Sequence, residues 1–135
     1  MEVEFTKSAV IPYRLKDGKL EILLVTSIKK KNWIVPKGYI EFNLTPFESA
    51  KKEAYEEAGV VGSNETVEVG QFLNEKKNGK ELIKVYTMEV DEELDDYPEK
   101  NLRKRKWFSY EEALDKVQNV QIKNFLRKLK ESIKN

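Results

Sequence analysis

The chain has 135 residues, 25 of them Lys or Arg and 24 Asp or Glu, for a formal net charge of +1. That length suits one domain with one core, expected over residues 1–135, and the charge balance implies no global attraction to nucleic acid. Cysteine and histidine are both absent. Their absence excludes disulfides, thiol nucleophiles, Cys or His zinc sites and His-based triads, and leaves proton transfer near neutral pH to carboxylates, Lys, Tyr or metal-bound water.

No signal peptide or long apolar run is visible, so the expectation is a soluble, cytoplasmic chain without membrane contact. Lys7 to Leu15 reads as a strand in which Ala9, Ile11 and Tyr13 alternate with polar or exposed positions. Asp17-Gly18 is a hairpin signal, and the aliphatic run Leu20 to Ser27 is a buried strand. Lys29, Lys30 and Lys31 follow in a loop, ending beside Trp33-Ile34-Val35, a short strand. Thr66 to Glu75 and Glu81 to Val90 read as two antiparallel strands closed by Asn78-Gly79. Asp91 to Asn101 is an acidic loop and Lys106-Trp107-Phe108 a short strand. Ser109 and Glu112 make a capping box for a helix through Val117. A last amphipathic helix from about Gln121 carries Ile122, Phe125, Leu126, Leu129 and Ile133 on one face, as core rather than as a partner surface. Strands and helices interleave without regular βαβ spacing, which predicts an α/β chain with a mixed sheet between helices, an α/β/α sandwich.

The stretch from Val35 to Val60 organises the chain. A loop around Pro36, Lys37 and Gly38 leads to Thr45, an N-cap; Pro46 suits the first helical position, Glu48 completes a capping box and Gly59 ends the helix. A helix from Pro46 to Ala58 is about 20 Å long at ~1.5 Å per residue. On a wheel of about 100° per residue, Glu53, Glu56 and Glu57 fall within one arc of roughly 100° beside a stripe of Phe47, Ala50, Ala54 and Ala58. The alanines allow close approach to a sheet. Three carboxylates so close repel, which raises the pKa of at least one, and a hard divalent cation such as Mg²⁺ or Mn²⁺ removes the repulsion.

Gly38, Glu53, Glu56, Glu57, Gly59 and Val60 resemble the Nudix box with no insertion or deletion. Leu44 stands where that box has its first Glu, and Lys52 where it has Arg. Lys52 keeps a positive charge but not the planar fork with which the family's Arg steers a box Glu. Flanking segments (Leu23 to Ser27, Trp33 to Pro36, Arg103 to Phe108) are similar to those of the diphosphoinositol polyphosphate phosphohydrolase branch. The Pro36-Lys37-Gly38 loop looks more like the diadenosine polyphosphate and RNA-end branches.

The resemblance implies a Nudix-type α/β/α sandwich that hydrolyses the phosphoanhydride of a nucleoside diphosphate linked to another group. Dinucleoside polyphosphates or diphosphoinositol-type molecules are the small-molecule polyphosphate substrates it points to. Implied metal ligands are Gly38, Glu53, Glu56 and Glu57, with Mg²⁺ as cofactor and Mn²⁺ as a substitute. Implied catalytic carboxylates are Glu53, Glu56, Glu57 and a loop residue, Glu99 ahead of Glu93. Substrate-binding candidates are Lys30, Lys37, Arg103 and Arg105. An enzyme acting on RNA 5′ ends and a non-catalytic nucleotide sensor stay open as alternatives, as do a monomer and a homodimer.

Overall fold

The computed structural model describes residues 5–62, 68–77 and 79–133. In chain order these form β1 (Phe5–Lys16), β2 (Lys19–Thr26), β3 (Trp33–Ile34), β4 (Lys37–Tyr39), α1 (Pro46–Ala58) and β5 (Val60–Val61). Then follow β6 (Glu68–Lys76), β7 (Gly79–Glu89), β8 (Glu92–Glu93), β9 (Arg105–Ser109), α2 (Tyr110–Lys116) and α3 (Val120–Ile133). The main sheet runs β3-β2-β1-β7-β6, with β4 paired to β1 and β9 to β2. The β1–β7 pairing is parallel and the others in this sheet are antiparallel, so the sheet is mixed. β5 and β8 form a separate two-stranded ribbon.

The hairpin after β1 turns at Asp17 and Gly18, with φ of 53° and 75°, the two positive values a two-residue primed turn demands. Asn78, expected to close the β6–β7 hairpin, lies outside the described residues. β1 is longer than the sequence pattern suggests because it pairs along both edges. Its residues are buried on both faces, Ser8 and Val10 as fully as Ala9 and Ile11. The simple alternation expected for a half-exposed strand therefore does not hold: helices cover both faces.

On one face, α2 and α3 bury Ala113, Ile122, Phe125, Leu126 and Leu129 against Ala9, Ile11, Leu24 and Ile83. On the other, α1 buries Phe47, Ala50, Ala54 and Ala58 against Val10, Leu23, Val25 and Met88. The result is the α/β/α sandwich. Among the described residues, no helix is long and apolar enough to cross a membrane.

Helix α1 has the ends its sequence spells. Thr45 Oγ1 accepts from Glu48 N at 3.1 Å, and Glu48 Oε1 accepts from Thr45 N at 2.8 Å. Gly59 adopts φ 66°, ψ 34°, and its N–H reaches back to Tyr55 O at 3.0 Å. Beyond it the acidic segment, expected as a plain loop, folds over the helix end. Glu99 N donates to Glu56 O at 2.9 Å and Leu94 N to Gly59 O at 2.7 Å, while Arg105 Nη1 donates to Ala58 O at 2.9 Å. Carbonyls that a helix leaves open at its C-terminus are thus satisfied by distant chain.

Gly59 is tightly enclosed: a Cβ there would overlap the Tyr97 ring and come within 2.7 Å of Arg105 Nη1. Gly59→Ala should therefore cost more than the ~1–2 kcal/mol of a left-handed non-glycine residue alone. Urea unfolding measures this. A midpoint equal to wild type would contradict the enclosure.

Candidate active site

Strand β4 and helix α1 meet at Gly38. A side chain at Gly38 would occupy the space taken by the Glu53 carboxylate. Glycine is required there by close approach, since its φ is ordinary. The residues before β4 form an extended connection, and Pro36 O accepts from Val10 N at 3.0 Å. The segment expected as a loop is consequently an ordered strand, made one by its pairing with Lys7, Ser8 and Ala9.

One turn along α1, Glu57 lies against Glu53, and the two carboxyls share a hydrogen bond. Glu57 is only 4% exposed. Burial is the main reason its pKa rises to about 8; Arg103 opposes the rise, and the hydrogen bond and charge of Glu53 add to it. Glu53 is pushed up as well, chiefly by burial, with Glu56, Glu99 and Glu41 adding repulsion and the Glu57 hydrogen bond opposing. Burial and the shared hydrogen bond both favour a proton on one of the two carboxyls. Glu56 stands beside the pair and is less buried than Glu57.

Arg103 organises the far side. Its Nε donates to Glu99 Oε1 at 2.8 Å, its Nη1 donates to Thr26 O at 3.1 Å, and its Nη2 lies 3.9 Å from Glu57 Oε2. Arg103 precedes β9 rather than lying in it, and the backbone next to it is fixed on β2: Lys104 N donates to Thr26 Oγ1 at 2.9 Å. Glu53, Glu57, Glu99 and Arg103 are thus brought together.

Arg105 is not at this cluster's open side. It caps the α1 C-terminus, lies 3.5 Å from Glu93 Oε2 and stacks over Tyr97 at 4.7 Å. Glu93, the second loop carboxylate considered, is held by that arginine and by Trp107 Nε1 at 3.2 Å. Lys30 is exposed in the turn at 28–30, with no ion pair to the cluster among the described residues. Lys52 pairs with Glu41 at 2.9 Å instead of steering a box carboxylate. The reason is reach: Glu41 lies in the turn before α1, on the exposed side of the helix where Lys52 points.

On the opposite face of β4, Lys37 borders a cavity of about 170 Å³ lined by Trp33, Val35, Phe72, Ile83, Ile122 and Asn119. A single water needs ~10–15 Å³ by the same measure, so the space admits a larger group. The Lys37 ammonium is lowered from its ordinary pKa, first by burial and then by Lys7. Among the described residues it makes no ion pair. Nothing local in the sequence connects Lys37 to this cavity beyond the Trp33-Val35-Lys37 alternation, which puts all three on one face.

A mixed sheet between α1 and the α2–α3 pair, with glycine backbone facing a carboxylate helix, defines a known class of fold. The NUDIX domain family matches residues 5–129, and the chain belongs to that family. It is 38% identical over 125 residues to Nudix hydrolase 18, mitochondrial, of Arabidopsis thaliana, covering 86% of this chain and 70% of that one. It is 39% identical over 103 residues to diphosphoinositol polyphosphate phosphohydrolase 2 of Rattus norvegicus, covering 73% and 55%. The chain spans between 55% and 72% of the length of the curated relatives it matches. In fold it resembles the C. elegans Ap4A hydrolase (TM-score 0.79, 22% identity, 98% of this chain and 100% of that one). It also resembles the NUDIX domain of Shewanella oneidensis NrtR complexed with ADP ribose (TM-score 0.76, 15% identity, 95% and 89%). Family members generally use divalent cations.

Among the described residues, no three acidic side chains already converge as a metal cage. Glu53 and Glu57 are instead turned toward each other across the hydrogen bond they share. Oxygen donors of this kind still fit a hard cation, which would take the proton's place.

The raised Glu57 pKa has a consequence for the metal-free protein. A carboxyl with its folded pKa above the unfolded 4.5 contributes stability that is complete below 4.5 and lost as pH rises through about 8. Thermal melts in EDTA should show wild type losing more stability between pH 5 and 9 than Glu57→Gln, which has no proton to lose. Parallel curves for the two proteins would refute a proton held at Glu57.

Proposed function

We propose that the chain is a Mg²⁺-dependent pyrophosphohydrolase cleaving a phosphoanhydride in a nucleoside diphosphate linked to another moiety, with dinucleoside polyphosphates as the preferred class. The observation that carries this reading is the Glu53–Glu57 pair against Gly38, with Lys37 leading from it into an apolar, amide-edged cavity. Trp33, Phe72 and Ile83 suit a planar heterocycle, and Asn32, Gln118 and Asn119 offer groups for its polar edge. An inositol ring dense in phosphates suits such walls less. The diphosphoinositol reading draws on the likeness to the rat relative and on the exposed lysines at 29–31.

In this reading Glu53, Glu56, Glu57 and the Gly38 carbonyl would hold the cation. When bound, it neutralises phosphate charge and acidifies the attacking water. The chain's own residues do the rest. Water oxygen bonds to phosphorus, the bridging P–O bond breaks, and the water proton passes to a carboxylate of the Glu53, Glu57 and Glu99 group. Arg103 fixes Glu57 and Glu99 so that neither swings away, which makes it a positioning residue more than a phosphate ligand. Lys37 offers charge to the transferring or leaving phosphate.

Activity on diadenosine tetraphosphate should vanish with EDTA and return with Mg²⁺ or Mn²⁺. Glu57→Gln should lower kcat by about 10²-fold or more, the scale of a lost proton-transfer or ligand carboxylate, with a smaller change in KM. Full turnover after chelation, or in Glu57→Gln, would overturn the proposal.

A further inference from the structure

Among the described residues, two buried side-chain oxygens find no hydrogen-bond partner of good geometry: Glu81 Oε2 and Ser8 Oγ. Charge answers the first, since Lys7 Nζ lies 3.1 Å and Lys76 Nζ 3.6 Å from Glu81 Oε2. Nothing comparable answers the second. Ser8 is fully buried in β1, with β7 along one edge and β4 along the other. Of the other buried hydroxyls, Ser49 Oγ accepts from Glu41 N at 2.9 Å and Thr26 Oγ1 from Lys104 N at 2.9 Å. A hydroxyl taken out of water without a partner costs free energy, and native chains hold few of them.

The sheet register fixes what lies beside Ser8. It is the direct partner of Gly38 in the antiparallel β1–β4 ladder and of Lys84 in the parallel β1–β7 ladder. Directly opposed residues of an antiparallel pair point to the same face, with Cβ atoms about 4.5–5.5 Å apart. That face is the one α1 covers, because Val10, two residues on, belongs to the core beneath the helix. The Glu53 carboxylate fills the place of the missing Gly38 side chain. It is therefore the cross-strand neighbour of the Ser8 hydroxyl. Lys84, on the other side, carries no acceptor. Of these two flanking groups only Glu53 can accept a hydrogen bond, and here it is turned toward Glu57 instead.

We propose that Ser8 is a positioning residue for the cation site: its hydroxyl donates to the Glu53 carboxylate once that carboxylate exchanges its bond to Glu57 for a divalent cation. A carboxylate with one oxygen on a cation keeps lone pairs for a donor, and a bond there fixes its orientation, as outer partners do for metal ligands. The serine needs only a turn about one side-chain bond. Its hydroxyl has already left water in the folded chain, so the new bond counts toward cation affinity without a further desolvation cost. This rests on the reading of Glu53 as a cation ligand given above, and adds to it a residue outside the Val35–Val60 stretch.

Wild type and Ser8→Ala are compared in two measurements without substrate: thermal melting in EDTA, and Mn²⁺ binding followed by electron paramagnetic resonance of the free ion. Ser8→Ala should melt no lower than wild type in EDTA, because the hydroxyl it removes has no partner there. It should bind Mn²⁺ about tenfold more weakly, the loss of one hydrogen bond to a charged group. A residue needed only for packing would do the reverse, lowering the melting temperature and leaving cation affinity alone. Lower melting in EDTA, or wild-type Mn²⁺ affinity in Ser8→Ala, would overturn the role of Ser8. Cleavage of diadenosine tetraphosphate by wild type separates this from the functional reading. If wild type cleaves it and Ser8→Ala binds Mn²⁺ normally, the functional reading stands and the role of Ser8 falls. If Ser8→Ala weakens Mn²⁺ but wild type cleaves nothing, the role of Ser8 stands and the functional reading falls. A wild type that binds no Mn²⁺ would end both.

Discussion

Everything at the candidate site depends on how closely α1 approaches the sheet. Ala50, Ala54 and Ala58 are fully buried there, and their small side chains set the separation. Gly38 removes the last obstacle, leaving the Glu53 carboxylate against bare backbone. A larger residue at any of these positions would push the helix out and return Glu57 to solvent. Glu57 would then titrate as an ordinary carboxyl.

Burying carboxylates carries a cost, and the chain offsets it in two places. Glu53 and Glu57 share a hydrogen bond, and burial favours the neutral form of one of them over a second buried charge. Arg103 supplies a cation that is itself fixed by Thr26 O and Glu99. The C-terminus of α1 is tied down by Arg105, Glu99 and Leu94, so the helix end that carries Glu56 and Glu57 is closed by chain far away in sequence. Under the proposed function, this is what keeps the carboxylates ready for a cation: a rigid scaffold that resists their mutual repulsion.

The local features were legible because their causes are local. Thr45, Pro46, Glu48 and Gly59 act within a few residues, and the structure shows each in the role its spacing implies. The buried stripe of α1 and the apolar face of α3 follow from periodicity. What escaped the sequence was set by tertiary pairing. Lys37–Tyr39 contains glycine and follows proline, and only its ladder with β1 makes it a strand. Arg105 reads as a basic strand residue, and only the folded chain turns it to the end of α1. Lys52 finds Glu41 across a turn whose course the sequence does not specify. Glu81 left a trace that can be read in retrospect: it falls in phase with Ile83 and Val85, an ionisable residue on the inward side of a strand.

Under the proposed function, a cation and a proton compete for the Glu53–Glu57 pair. Calorimetric titration of Mg²⁺ into the protein, in buffers of different ionisation enthalpy, counts the protons released. Release of close to one proton is expected at pH 7, declining toward zero as pH rises well past about 8. Binding with no proton release at pH 7 would contradict it.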